Sequence, residues 1–241
     1  MARAKVSAED RIIVIPKPQM TALTYGIVGT APYVQHRFGV ETLKGIKEDQ
    51  EKGAAKGKKK GAAREPKDFN KCYEDCFYWG KEPGKKEKPW HGIPIAAIRS
   101  AMISACRISK SVAMTQAKLL VFIRPEGFDI HDGTPLMKLV GEVTRHEGKV
   151  NLRSGDKRTI DIRVRPLWLP GWRATVTIRF DSNFITTDSV GNLLELAGEN
   201  VGVGEGRPDS PASNGCGWGT FRVEHEKGCV IHEEPRRKNA K

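Results

Sequence analysis

No stretch of this chain is apolar for long enough to cross a bilayer, and its first residues hold no short apolar core of the kind that marks a secretory leader. Neither a membrane span nor a secreted, disulfide-stapled fold is expected. Cysteine is scarce: five residues, an odd number, at irregular positions, which reads as reduced thiols of a cytoplasmic protein. Metal chemistry has little to stand on. Cys72 and Cys76 can share a helix face, but no Cys/His pair of finger-like spacing accompanies them, and His225, Cys229 and His232 fall in a polar tail. No metal, no cofactor and no membrane contact is expected. The chain is also short of acid: 29 Asp and Glu against 41 Lys and Arg, a net charge of +12. Such an excess favours a polyanionic partner, most simply nucleic acid. Acid is absent altogether from Lys52 to Arg64, a tract that holds Lys58, Lys59 and Lys60 in a row. It is too polar to pack alone. It is either a solvated loop or a basic arm that orders on a ligand, with those three lysines on phosphates.

What is present reads as alternating strand and helix. Thr21 to Val28 alternates, with Leu23, Tyr25 and Ile27 on one face. Residues 40–90 change character and read as a helical and loop insertion that is basic. Gly92 to Ser109 reads as a core helix, with Pro94 at its start and Ile95, Ile98, Met102 and Cys106 on one stripe; Arg99 lies off it. Lys118 to Ile123 and Leu136 to Val143 are apolar strands, and Arg145 to Lys157 is a hairpin or loop. Thr159 to Leu167 alternates, placing Ile160, Ile162 and Val164 inward and Arg163 and Arg165 outward. Trp172 to Phe180 alternates likewise, and the two read as an antiparallel pair joined at Pro170-Gly171. Thr187 and Asp188 start a further helix, with Val190, Leu193, Leu194 and Ala197 on its face and Gly198 at its end. A glycine-rich loop and a short strand at Thr220 to Val223 follow, then a polar tail, residues 225–241. The order fits an α+β domain spanning 1–241, a βαββαβ ferredoxin-like core with a large basic insertion, residues 40–90, after the first strand.

The glycine-rich stretch is Val-Gly-Val-Gly-Glu-Gly-Arg-Pro from Val201 to Pro208. Alternation of Gly202, Gly204 and Gly206 lets another backbone approach closely and presents N–H groups to a phosphate, with Arg207 beside them. A surface loop with bulges explains the same run. It is not a dinucleotide fingerprint, because it follows a helix and precedes a strand. Without a G-K-[ST] it is not a Walker A loop either.

The segment GIPIAAIRSAM, together with NLLELAGENVGVGEGRP and GWGTFRV, resembles the RAMP superfamily of CRISPR-associated proteins over about half the chain. The whole chain also resembles proteins of tailed bacteriophages. The RAMP resemblance implies a modified RRM fold, with backbone subunits that polymerise along a guide RNA and grip its backbone. It implies such a role for Arg99, the basic insertion and the loop Gly202 to Arg207; Arg37, Arg163 and Arg165 are further candidate contacts. In departure from the target-cleaving members, Gly29-Thr30-Ala31-Pro32 follows the first strand and no acid precedes Glu41, so no such cleavage is expected. The stacking aromatics of an ordinary RRM are not evident in TALTYGIV.

The function expected is non-catalytic, sequence-independent binding of single-stranded nucleic acid, RNA rather than DNA, with copies of the chain or related subunits as partners. His36 lies near where guide-processing nucleases of this superfamily carry a general acid/base, so an endoribonuclease is the alternative. A phage nucleic-acid-binding or structural protein is the other.

Overall fold

A computed structural model describes residues 16–37, 39–51, 53, 66–154, 157–210, 216–224 and 230–233. Lys58, Lys59 and Lys60, with His225 and Cys229, lie outside them. The first strand, β1 (Met20–Gly29), is followed by a short β2 (Tyr33–Val34). The insertion then supplies α1 (Val40–Glu51), α2 (Phe69–Glu74), β3 (Trp79–Lys81) and β4 (Trp90–Pro94). Beyond it come α3 (Ile95–Ser109), α4 (Met114–Leu120), β5 (Val121–Arg124), β6 (Gly127–Asp129) and β7 (Pro135–Val140). The chain closes with β8 (Val143–Ser154), β9 (Lys157–Trp168), β10 (Arg173–Asp181), α5 (Thr187–Leu196), β11 (Phe221–Glu224) and β12 (Val230–Glu233).

The ferredoxin-like core is β1-α3-β5-β10-α5-β11. Strand β1 lies between β10 and β11, and β10 between β1 and β5, every pair antiparallel. The register puts Leu23 opposite Ile178, Tyr25 opposite Val176, and Ile123 opposite Ile178. Those residues share one face because side chains alternate along a strand. Helix α3 covers that face with Ile98, Met102 and Cys106, the stripe expected from spacing, and α5 with Val190, Leu193 and Leu194. Thr186 caps α5, its hydroxyl accepting from Ser189 N at 3.2 Å.

Beyond β10 the sheet continues through β7, β4, β3 and β6. A second excursion, β6 to β9, therefore separates β5 from β10, where only the first was expected. The expected pairing of Thr159–Leu167 with Trp172–Phe180 does not form. Strand β9 pairs instead with β8 over its whole length and with β2, in a separate three-stranded sheet. Pro170-Gly171 does turn the chain, with Gly171 at φ +95°. Trp168 and Trp172, both fully buried on either side of it, anchor the turn as a corner between sheets. The predicted alternation of β9 holds at Val164, which is 3% exposed, and fails at Ile160, Ile162 and Arg165. Ile160 and Ile162 are exposed, whereas Arg165 is 3% exposed, because the outer half of the β8–β9 hairpin stands clear of the core while Arg165 meets a carboxylate of the glycine loop.

The insertion joins the core through aromatic packing. Phe77 meets Tyr73 edge-on at 5.1 Å and Trp168 at 5.7 Å. His91 sits 4.4 Å from Trp79 and 4.7 Å from Phe77 between ring centroids. Its Nδ1 is buried with no hydrogen-bond partner among the described residues. Burial holds its pKa below the ordinary imidazole value. The folded protein thus takes up this proton less readily than the unfolded chain. Stability is full above the unfolded pKa of about 6.5 and is lost as the pH falls through the lowered folded value. Urea denaturation should show lower stability at about pH 5.5 than at about pH 7.5. The gap should narrow in His91→Phe; a variant with the full wild-type gap would remove His91 as its source.

Candidate nucleic-acid interface

Strand β4 runs straight into α3, and the side of the first α3 turns that faces away from the stripe carries only small residues: Ala96, Ala97, Ser100 and Ser104. Across from it lies the glycine-rich loop. Helix α5 does not stop at Gly198 as expected. It runs on into a π-helical turn, Ala197–Val201, and Gly202 at φ +69° ends it. Gly198 lies inside the turn because it packs on β11: a Cβ there would stand 2.1 Å from Phe221 O. Gly204 and Gly206 also have positive φ. Between Gly202 and Gly204, Val203, 1% exposed, pins the loop to the core.

The loop's N–H groups are largely not bare. Gly202 N donates to Ala197 O at 2.9 Å, Val203 N to Gly219 O at 2.9 Å and Glu205 N to Val34 O at 3.0 Å. The close approach that the glycines permit is to the protein's own backbone. A Cβ on Gly204 would lie 2.6 Å from both Val34 O and the Tyr33 ring. The loop is therefore a fixed wall, and side chains carry whatever it offers a phosphate, alongside any amide it leaves over.

Wall and helix enclose a groove of about 570 Å³, floored by Tyr33, Gln35 and Tyr78. Gln35, 2% exposed, ties the floor together. Its Nε2 donates to Tyr33 Oη at 3.0 Å and to Gly92 O at 2.8 Å, and its Oε1 accepts from Tyr78 N at 3.2 Å. Arg207 stands on the loop side, half-buried, with Nη1 donating to Gly204 O at 3.0 Å. The small residues, Gln35 and Tyr78 escaped the sequence reading. The spacing of Ala97, Ser100 and Ser104 opposite an apolar stripe is the signal that could have found the helix side.

The remaining predicted cations separate. Arg37 is turned into the core, Nη2 lying 3.0 Å from Asp129 Oδ1 and 2.9 Å from Asp132 Oδ2. Arg165 is buried against Glu205 of the loop. Both carry buried, paired guanidinium groups, so neither is presented to a ligand. Arg99 lies off the groove: Nε donates to Val121 O at 2.9 Å and Nη2 to Lys118 O, fastening α3 to α4 and β5. Arg163 stays half-exposed, 3.7 Å from Glu205 Oε1 and 3.9 Å from Asp161 Oδ2. His36 lines both the groove and an adjoining cavity of about 280 Å³. Desolvation lowers its pKa and outweighs the opposing pull of Glu205, with Arg163 and Arg165 lowering it further.

Cys72 is exposed, while Cys76 is buried with its Sγ 3.8 Å from Val164 O and its thiol pushed up by burial. Among the described residues no group of three or more His, Cys, Asp or Glu is placed to hold a metal, and no helix is long and apolar enough to cross a membrane.

No protein-family model matches the chain, and no curated protein does. Among solved structures, it is similar to a chain in the cryo-EM structure of the Type III-B Cmr-beta bound to cognate target RNA, with a TM-score of 0.44 and 9% identity. The alignment covers 89% of this chain and 61% of that one, so this chain spans about three-fifths of its neighbour's length.

Proposed function

We propose that the groove between α3 and the glycine-rich loop binds single-stranded nucleic acid through its backbone, with little base readout and no catalysis. One observation carries the reading: the two distant segments that stand out in the sequence form opposite walls of one groove, alanines and serines on the helix side and alternating glycines with Arg207 on the loop side. Small residues leave room for a chain, a guanidinium suits a phosphate, and a net charge of +12 draws a polyanion from a distance. RNA is preferred to DNA, and copies of the chain or related subunits are its partners, as the RAMP resemblance implies. The setting is a ribonucleoprotein of CRISPR type or its phage-borne relative.

Anisotropy titrations of several unrelated oligomers across a salt series test this. Log K should fall with log salt by roughly 0.7 for each phosphate neutralised, alike for every sequence. Arg207→Ala should lower affinity about fivefold at 0.1 M salt and flatten the slope by about 0.7, while melting as the wild type does. Sharp preference for one sequence with a flat salt response would overturn the proposal. His36 supports a second reading as an endoribonuclease, because it lines the groove and its lowered pKa leaves a neutral imidazole able to accept a proton. Metal-free incubation with structured RNA, wild type beside His36→Ala, separates the two: cleavage by the wild type alone selects the enzyme.

A further inference from the structure

The groove does not end at the glycine run. A cavity of about 320 Å³ continues toward the last turn of α3, where Arg107 and Ile108 face Asn200 and Asp209. Ser104, Val201 and Asp209 line both spaces. They are two reaches of one trough along the helix. Where they adjoin, an ion pair between Arg107 Nη2 and Asp209 Oδ1 bridges from helix to loop. Arg107 Nε also donates to Ser104 O at 3.3 Å, which holds the guanidinium over the trough.

Two carboxylates of the loop thus sit on arginines, and exposure separates their roles. The side chain of Arg165 is 4% exposed beside Glu205. Glu205 is 30% exposed, so the difference lies in the arginine: removing Glu205 would strand a buried guanidinium, and that pair is structural. Arg107 is 55% and Asp209 26% exposed. A pair of that kind holds weakly and is screened by salt. A phosphate offers Arg107 the same forked acceptor geometry with more charge. Asp209 N is anchored on Val201 O at 3.3 Å, so the carboxylate can leave by side-chain rotation alone.

We infer that Asp209 is a removable phosphate mimic. In the free protein it occupies Arg107 and closes the trough. A bound strand displaces it, and Arg107 becomes a phosphate contact in the second reach. The inference rests on the groove being the nucleic-acid site, and it adds a contact residue, a dependence on strand length and a sign.

Short and long single strands, about 4 and about 12 nucleotides, are titrated across a salt series centred on about 0.1 M against wild type, Asp209→Asn, Arg107→Ala, the double variant of these two, and Arg207→Ala. Asp209→Asn should bind the long strand about fivefold more tightly, because the strand no longer has to break an exposed ion pair, and the short one as wild type does. Arg107→Ala should weaken the long strand and flatten its salt slope by about 0.7. The double variant should match Arg107→Ala. No gain from Asp209→Asn, or an equal gain in the Arg107→Ala background, overturns the inference, the latter because net charge alone then explains it. If those results come with Arg207→Ala still weakening both strands, the groove reading stands and this one falls. If no variant and no wild type binds any strand, both fall. Thermal melting checks folding, and Asp209→Ser gives the same readout should the Asn variant melt early.

Discussion

Gly204→Val should destabilise the fold by about 3–5 kcal/mol, combining left-handed backbone strain with overpacking. Gly204 has φ +79°, a conformation that a β-branched residue adopts only under strain. The space is also closed, since the new Cβ would meet Val34 O and the Tyr33 ring at 2.6 Å each. Backbone cannot swing aside as a flexible side chain can, and Val34 O already accepts from Glu205 N. Any relief must therefore move the loop off β2 and open the groove wall. Gly171→Val is the control: φ there is +95°, but nothing lies within 4 Å of the added Cβ. It should show the strain alone, about 1–3 kcal/mol. Urea midpoints of the two variants compare the terms. Equal losses at both sites would mean that the loop gives way freely and is not the fixed wall described above.

Arg37→Ala should destabilise by about 3 kcal/mol, near the low end of what breaking a buried ion pair costs. The side chain of Asp129 is fully buried and would be left charged without its guanidinium. It is not left bare: Trp79 N donates to Oδ2 at 3.0 Å, and His131 N and Asp132 N to Oδ1 at 2.8 and 3.1 Å. Those bonds set the lower figure. Adding Asp129→Asn to Arg37→Ala removes the stranded charge and should recover part of the loss. Acid sensitivity changes too. Burial raises the Asp132 carboxyl, but hydrogen bonds from Thr134 and Arg37 outweigh it and bring the pKa down to about 2. Its contribution is full above the unfolded value of about 3.9 and is lost as the pH falls toward the folded one. Without Arg37 that acid-side loss should shrink. Denaturation that leaves the variant as stable as the wild type would show that Arg37 is dispensable to the core, contrary to its geometry.

Local pattern carried much of the fold. The stripe of Ile98, Met102 and Cys106 and the face of Leu23, Tyr25 and Ile27 are where periodicity put them, since helix and strand geometry dictate which neighbours share a face. The β8–β9 hairpin was less legible. Strand partners are chosen over long separations, and an alternating strand fits any edge that accepts its register. Its burial was misread for a related reason: Ile162 and Val164 share a face, yet only Val164 is buried, and alternation does not say where along a strand the core ends.

By itself the sequence determined the net charge, the order of strand and helix in the core, and that Gly202, Gly204 and Gly206 leave room for another backbone to approach. These depend on composition and on local sterics. Tertiary structure alone decided which cations are available. Arg37 finds its carboxylates 92 and 95 residues away, and Arg165 finds Glu205 across the gap between hairpin and loop. A charge in a sequence carries no record of the partner that will bury it. The same holds for the loop amides, whose acceptors on Val34 and Gly219 become neighbours only when β11 closes against β1.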